Sequence, residues 1–318
     1  VQRWQPSYSL DTLAKRAQIL AQIRAFFAQR KVLEVDTQIL SRSTVTDLAL
    51  EGIEVPYQGE SFFLQTSPEY AMKRLLAAGA PDIYQLGKVF RRDEAGRNHN
   101  PEFTLLEWYR LGFDLNQLMD EVDEVLALIL NAPKAQRLPY QEAFLKYCKL
   151  DPHQASVDDL KILAEQANLS VSDSLQTADK DTWLQLIFSH LIEPQLGFEA
   201  PVFIHDYPAS QAALAITSIR NGASVAARVE VFVRGLELAN GYQELMDPQE
   251  QENRFIQDNQ LRQAAGLPQK PIDTLFLDAI RQGLPPCSGI ALGVDRLIML
   301  ALNLPRIEGV IPFDFPRA

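Results

Sequence analysis

Three clusters of residues have the types and spacings that chemistry needs. The first runs Phe90-Arg91-Arg92-Asp93-Glu94-Ala95-Gly96-Arg97-Asn98-His99-Asn100-Pro101-Glu102-Phe103. It sets three arginines and a histidine within nine residues of an acidic chain. Guanidinium forks fit phosphate oxygens. The strand expected after this loop puts Phe103, Leu105, Glu107 and Tyr109 on one face, an aromatic, a carboxylate and a phenol that could line a pocket. A solvated hairpin tip whose charges pair among themselves accounts for the loop equally well.

The second cluster is Glu230, Glu237 and Glu244, seven residues apart. With Arg234-Gly235 as a two-residue hairpin loop, Val233 faces Leu236 and Phe232 faces Glu237. Glu230 then lies diagonal to Glu237 on the same face, about 7–8 Å away. Two anions among apolar neighbours repel unless a hard cation sits between them, and Mg²⁺ takes one or two carboxylates plus substrate phosphates. Glu244, beyond Asn240-Gly241, has the charge to hold an ammonium group. An amphipathic hairpin with outward charges is the simpler alternative, but Val231, Val233, Leu236 and Leu238 between the glutamates are apolar. The third cluster is Ser288-Gly289-Ile290-Ala291-Leu292-Gly293-Val294-Asp295-Arg296. Small residues let a ligand approach the backbone. Arg296 falls in the first turn of an expected helix, where a cation opposes the dipole unless it faces an anion such as a terminal phosphate. A surface Asp295–Arg296 pair explains that stretch taken alone. Thr66-Ser67-Pro68-Glu69-Tyr70 reads as an ordinary helix start.

The elements that must position these groups are legible in outline. Leu10 to Gln29 has a helical apolar stripe, and Lys31 to Asp36 reads as a short strand. Asp82–Arg91, Phe103–Leu111 and Arg228–Asn240 read as strands, and Asp114–Leu130 as an amphipathic helix. Asp247-Pro248-Gln249-Glu250 starts a helix that runs towards Gly266. Gly289 to Leu300 passes from strand to helix. Residues 131–200 look mainly helical and read as an insertion within one domain. Strand pairs joined by short loops, not interleaved with regular helices, predict an α+β (mixed α/β) fold with an antiparallel sheet.

Composition narrows the function. The chain has 318 residues, of which 47% are hydrophobic, and a net charge of −11, so a general nucleic-acid-binding surface is not expected. Any polyanion must meet the local basic patch. Cys148 and Cys287 are far apart and form no CxxC pair, and the four histidines have no HExxH spacing, which argues against a disulfide framework or a zinc site. No phosphate-loop or GxGxxG signature occurs. No stretch of about 18 apolar residues occurs, so no membrane span is expected. Without an export signal, a reducing cytoplasm is the expected setting.

Together these residues resemble the signature motifs of class II aminoacyl-tRNA synthetases. Phe90-Arg91-Arg92-Asp93 resembles motif 2, Gly289 to Arg296 motif 3, and Lys31 to Leu40 motif 1. Thr66-Ser67-Pro68-Glu69, Arg97 to Thr104 and Gly235 to Gly241 are similar to lysyl-tRNA synthetases. The sequence opens on the motif 1 helix, and no anticodon-binding domain is expected ahead of it. In this it is more similar to the truncated paralogues that ligate (R)-β-lysine to elongation factor P. The resemblance implies a single catalytic domain over 1–318, a homodimer, ATP and Mg²⁺ as cofactors, a lysine-like amino acid as substrate, elongation factor P as acceptor, and no tRNA binding.

The same resemblance implies roles. Arg91 would clamp the α-phosphate and Arg296 the γ-phosphate as the catalytic pair. Phe103 would stack on adenine, and Arg92, Asp93, His99, Asn100, Glu237, Leu238 and Gly293 would complete the ATP site. Glu230 and Glu237 would serve Mg²⁺. Glu244 and Tyr109 would bind the substrate's side-chain amine, Glu69 its other amine and Asn240 its carboxylate, with Ser67, Pro68 and Ala291 lining the same pocket. Three positions depart from the motifs. Gln38 replaces the motif 1 proline, Asp93 the motif 2 glutamate and Ala291 the middle glycine of motif 3. The last matches the ligases. A catalytic core that charges tRNA with lysine, and an inactive paralogue acting as a binding module, are the competing readings.

Overall fold

Alternation along 102–111 and 223–243 gives the sheet one largely apolar face, with Leu106 and Trp108 on one strand and Val229 and Val231 on another. The computed structural model describes residues 4–92, 94–169 and 178–318. Strands β1 (Leu33–Glu34), β5 (Ile83–Phe90), β6 (Glu102–Leu111), β7 (Gln136–Pro139), β8 (Val202–Pro208), β9 (Thr217–Arg220), β10 (Ala223–Val233), β11 (Leu236–Gln243) and β12 (Cys287–Gly293) form the main sheet. Their order is β1-β5-β6-β12-β11-β10-β8-β7, with β9 attached to β10. A small sheet holds β2 (Leu40–Ser41), β3 (Glu54–Tyr57) and β4 (Glu60–Leu64). The helices are α1 (Leu10–Gln29), α2 (Glu69–Ala77), α3 (Leu115–Leu130), α4 (Tyr140–Cys148), α5 (Val157–Gln166), α6 (Lys180–Ile187), α7 (Pro248–Ala264), α8 (Thr274–Gly283) and α9 (Val294–Ala301).

The expected antiparallel pairing holds through the centre of the sheet, but the outer pairs β1–β5 and β7–β8 are parallel. Parallel neighbours need a crossover. Here the small sheet with α2 supplies one, and α4 to α6 supply the other. Among the described residues of 131–200, α4, α5 and α6 are helices and β7 joins the sheet edge.

Local chemistry sets the element ends. Ser9 caps α1 by accepting the Thr12 N–H, and Asp114 with Gln117 forms a capping box on α3. Asp247 accepts the N–H groups of Gln249 and Glu250 just before Pro248 in the first turn of α7. Arg234 and Gly235 both have positive φ, 53° and 68°, the geometry of a tight two-residue hairpin turn between β10 and β11.

One face of the sheet packs Leu106, Trp108, Val229, Val231, Ile290 and Leu292 against α1, α3 and α9. On the other face, Phe144, Trp183 and Phe188 cover Ile204 and Phe232 at one end. The middle of that second face is the floor of the site described below. Among the described residues, no helix is long and apolar enough to cross a membrane.

A buried ion pair clips α9 in place. Arg16 on α1 lies 2.6 Å from Asp295 and donates to Thr104 Oγ1 at 2.9 Å. Asp295 also accepts the Thr104 N–H at 2.7 Å. This orients the first turn of α9, and with it Arg296, against β6. The side chains of Arg16 and Asp295 are only 10% and 2% exposed. Removing one partner of such a pair leaves a buried charge uncompensated. Arg16→Met is therefore expected to cost about 3–5 kcal/mol of stability. Denaturant unfolding of Arg16→Met beside wild type measures this, and equal midpoints would refute it.

Candidate active site

Three small residues of β12 make the floor. Gly289 pairs with Tyr109 of β6 and Tyr242 of β11, and Ala291 pairs with Glu107 and Asn240. A Cβ on Gly289 would sit 2.2 Å from the Tyr109 ring and 2.8 Å from Glu244 Oε1, so only glycine fits. Gly293 ends the strand at the start of α9.

The expected hairpin register is observed at Val233–Leu236 and Phe232–Glu237. It then slips, with Val231 opposite Ala239 and Glu230 opposite Asn240 rather than Ala239. Leu238 is the extra residue of a β-bulge. In a regular strand, Glu237 would point away from Asn240 and Glu244, because odd separations alternate faces. The bulge turns Leu238 and Ala239 together into the apolar core and brings Glu237, Asn240 and Glu244 to the floor face with Glu230.

At one end of the floor, cations gather. Arg91 lies over the Phe103 ring at 5.0 Å and faces Glu94 at 3.5 Å. Its buried Nε has no hydrogen-bond partner among the described residues. Arg296 donates to the carbonyls of Glu237 at 2.7 Å and Asn98 at 3.3 Å, and its Nη2 lies 2.5 Å from His99 Nε2. Partial desolvation and then the Arg296 charge lower the His99 pKa, which suits a neutral ring accepting from Arg296. Burial, and then the charge of Glu230, raise the Glu237 pKa to about 7. Glu230 accepts from Arg228 at 2.5 Å and from Tyr207 at 2.6 Å. The Asn100 amide is used by the backbone of Glu102 and Phe315. Asp93 lies outside the described residues. Among the described residues, no three His, Cys, Asp or Glu side chains form a metal-binding group. A divalent ion here would rely on Glu230 and Glu237 completed by phosphate oxygens. Among the described residues, a guanidinium Nε without a partner and a carboxyl pushed up by burial and then by its anionic neighbour are a donor set that suits a metal-bound polyphosphate.

At the other end, carboxylates gather. Ser67 accepts the Glu69 N–H at 3.0 Å at the start of α2 and donates to Glu107 at 2.7 Å. Tyr109 donates to the other Glu107 oxygen at 2.7 Å. Glu244 is 1% exposed, and its Oε1, which faces Gly289, has no hydrogen-bond partner among the described residues. Lys73 lies 2.5 Å from both Glu69 and Glu244. Burial, then the charge of Glu69, push Glu107 up to about 7. Burial pushes Glu244 up to about 8, against the pull of Lys73.

The structure thus gathers Ser67, Glu69, Tyr109 and Glu244 at one end, and Arg91, His99, Phe103, Glu237 and Arg296 at the other. Asn240 and Ala291 lie between them. Sequence reasoning missed Lys73, Arg228 and Tyr207. Lys73 stands four residues after Glu69, which reads as a surface helix pair. Only the fold shows it buried.

Two comparisons bear on this site. The family model described as tRNA synthetases class II (D, K and N) matches residues 4–317. A protein of Yersinia enterocolitica serotype O:8 / biotype 1B (strain NCTC 13174 / 8081), named elongation factor P–(R)-β-lysine ligase, is 50% identical over 326 residues, which cover 99% of this chain and 98% of that protein. The motif-bearing floor, the cationic end and the match over nearly the whole chain agree: this chain belongs to the class II tRNA synthetases (D, K and N).

Proposed function

We propose that this protein uses ATP to activate a diamino acid, (R)-β-lysine or lysine, as its adenylate and passes the acyl group to a lysine ε-amine of elongation factor P. The observation that carries the reading is the charge in the buried end of the site. Glu69 and Glu244 flank one ammonium, Lys73, and Glu107 lies close by, hydrogen-bonded to Ser67 and Tyr109. Fully ionised, three anions against one cation leave two negative charges, which a ligand with two ammonium groups balances. A neutral or singly charged side chain would leave a buried charge unpaired, which is costly. The acceptor, and the β-isomer, are supported by the name of the Yersinia relative.

In this reading, Glu244 and Tyr109 receive one amine and Glu69 the other, while Asn240 meets the carboxylate. That directs the carboxylate along β12 towards Gly293 and the arginines. A carboxylate oxygen attacks the α-phosphorus of ATP, and pyrophosphate leaves. The neutral ε-amine of the acceptor then attacks the acyl carbon, AMP leaves, and the amine releases a proton. No side-chain nucleophile is required. Alignment, and cationic stabilisation by Arg91 and Arg296, supply the catalysis. Mg²⁺ held by Glu230 and Glu237 would neutralise phosphate charge.

ATP–pyrophosphate exchange with L-α-lysine and with (R)-β-lysine tests the reading. Preference for the β-isomer, with transfer to elongation factor P, supports it. Preference for α-lysine with charging of tRNA would replace it with a synthetase, and no exchange with either would point to a binding module. Arg91→Ala is expected to lower the exchange rate about 10²–10³-fold, the usual loss for a transition-state charge contact. Its melting temperature should be unchanged, and wild-type exchange in this variant would remove Arg91 from the mechanism.

The raised carboxyl pKa values also fix a sign. Below their pKa, Glu107 and Glu244 hold protons that an arriving ammonium must displace. The KM for the amino acid is therefore expected to fall as pH rises through about 7 and about 8. The slope is limited to about tenfold per pH unit for each proton released. A flat KM over that range, measured by exchange, would contradict the assignment of these carboxylates.

A further inference from the structure

Lys73 has so far entered only as a charge in the count, yet its placement is unusual. Its side chain is 1% exposed, and its Nζ lies 2.5 Å from Glu69 Oε1 on its own helix and 2.5 Å from Glu244 Oε2 beyond β11. The rings of Tyr109 and Phe276 lie 5.9 and 5.8 Å away. Phe276 belongs to the apolar cluster that backs α2 with Phe255 and Tyr70. Burial opposes the charge, but Glu244 and Glu69 outweigh it and raise the pKa, so the group stays an ammonium. A lysine enclosed in this way cannot be replaced by water as the partner of Glu244, whose side chain is fully buried.

Taking the proposed function as given, we infer that Lys73 is a positioning residue that sets substrate specificity. Its ammonium ties the carboxylates of Glu69 and Glu244 at one separation, and that separation selects the distance between the two amines of the substrate. Glu69 starts α2 and Glu244 follows β11, so without the tie their spacing depends on how a helix rests over a sheet. Glu69 is 17% exposed and has room to swing, whereas Glu244 is enclosed. Lys73 also cancels one of the three negative charges, so the count of amines and their spacing are set by the same group.

The test measures exchange for the preferred diamino acid and for its homologues one methylene shorter and one longer, in wild type, Lys73→Met and Lys73→Arg. Methionine keeps the length and the apolar contacts but cuts the tie. Arginine keeps the charge in a larger, planar head. In Lys73→Met, the preference for the natural chain length should fall about tenfold, the scale on which pockets sort single methylenes. The change should appear in the KM for the amino acid and leave the KM for ATP alone. Lys73→Arg leaves Glu244 a cationic partner and should show an altered length preference. A purely structural role would lower activity by one factor for every chain length, and that result, or an unchanged ratio, would overturn the inference. If Lys73→Met does not fold, the ratio in Lys73→Arg decides alone. Absence of exchange in wild type would remove the functional reading and this inference with it, whereas wild-type exchange with an unaltered variant ratio would remove the inference only.

Discussion

A single extra residue in β11 governs which side chains share the pocket. A strand alternates faces, and Glu237 and Glu244 are separated by an odd number of positions. Without the slip at Leu238, one of them would point into the apolar layer beneath α1, α3 and α9. With it, Leu238 and Ala239 both enter that layer, and the polar groups on either side share the open face. The bulge serves the core and the site at once. Reverting it would bury a carboxylate and expose apolar surface in the same step, which explains why this register is the stable one.

Charge differs between the two ends of the floor. Arg91 and Arg296 stand with Glu230 and Glu237 at the Gly293 end, and Glu69, Glu107 and Glu244 outnumber Lys73 at the Gly289 end, with small residues between them. An amino acid has the opposite arrangement when its carboxylate points to the arginines and its amines to the glutamates. The site is costly for the folded chain, since Glu107, Glu237 and Glu244 all ionise less readily than they would in water. That cost is offset elsewhere, in the aromatic packing of Phe27, Tyr84 and Trp108 beneath the sheet and of Tyr70 with Phe276 behind α2.

The hairpin turn and its first pairings were legible because Arg234-Gly235 lies between two apolar alternations. The helix limits of α1 and α3 were legible through their stripes, and the cap of α7 through Asp247-Pro248. The bulge was not, because two adjacent apolar residues such as Leu238 and Ala239 fit an interrupted alternation as well as a bulge. The parallel outer pairs were missed because β1 and β7 are short and find their partners only through distant crossovers. Most of the site came from motif resemblance rather than from periodicity, and the fold then supplied what motifs leave out. Lys73 shows this best, since its spacing from Glu69 is that of many exposed helix pairs and only the packing of α8 over α2 encloses it.

The clip between Arg16 and Asp295 joins groups 279 residues apart. At a synthesis rate of about 5–20 residues per second, the first partner waits tens of seconds for the second. Until then the arginine that follows Asp295 does not exist, and the strand carrying Thr104 lacks the carboxylate that receives its N–H. The amine end shares this dependence through Gly289, because β12 must insert between β6 and β11 before the floor is continuous. A growing chain therefore has neither half of the pocket, and nucleotide and amino acid cannot be brought together by an unfinished molecule.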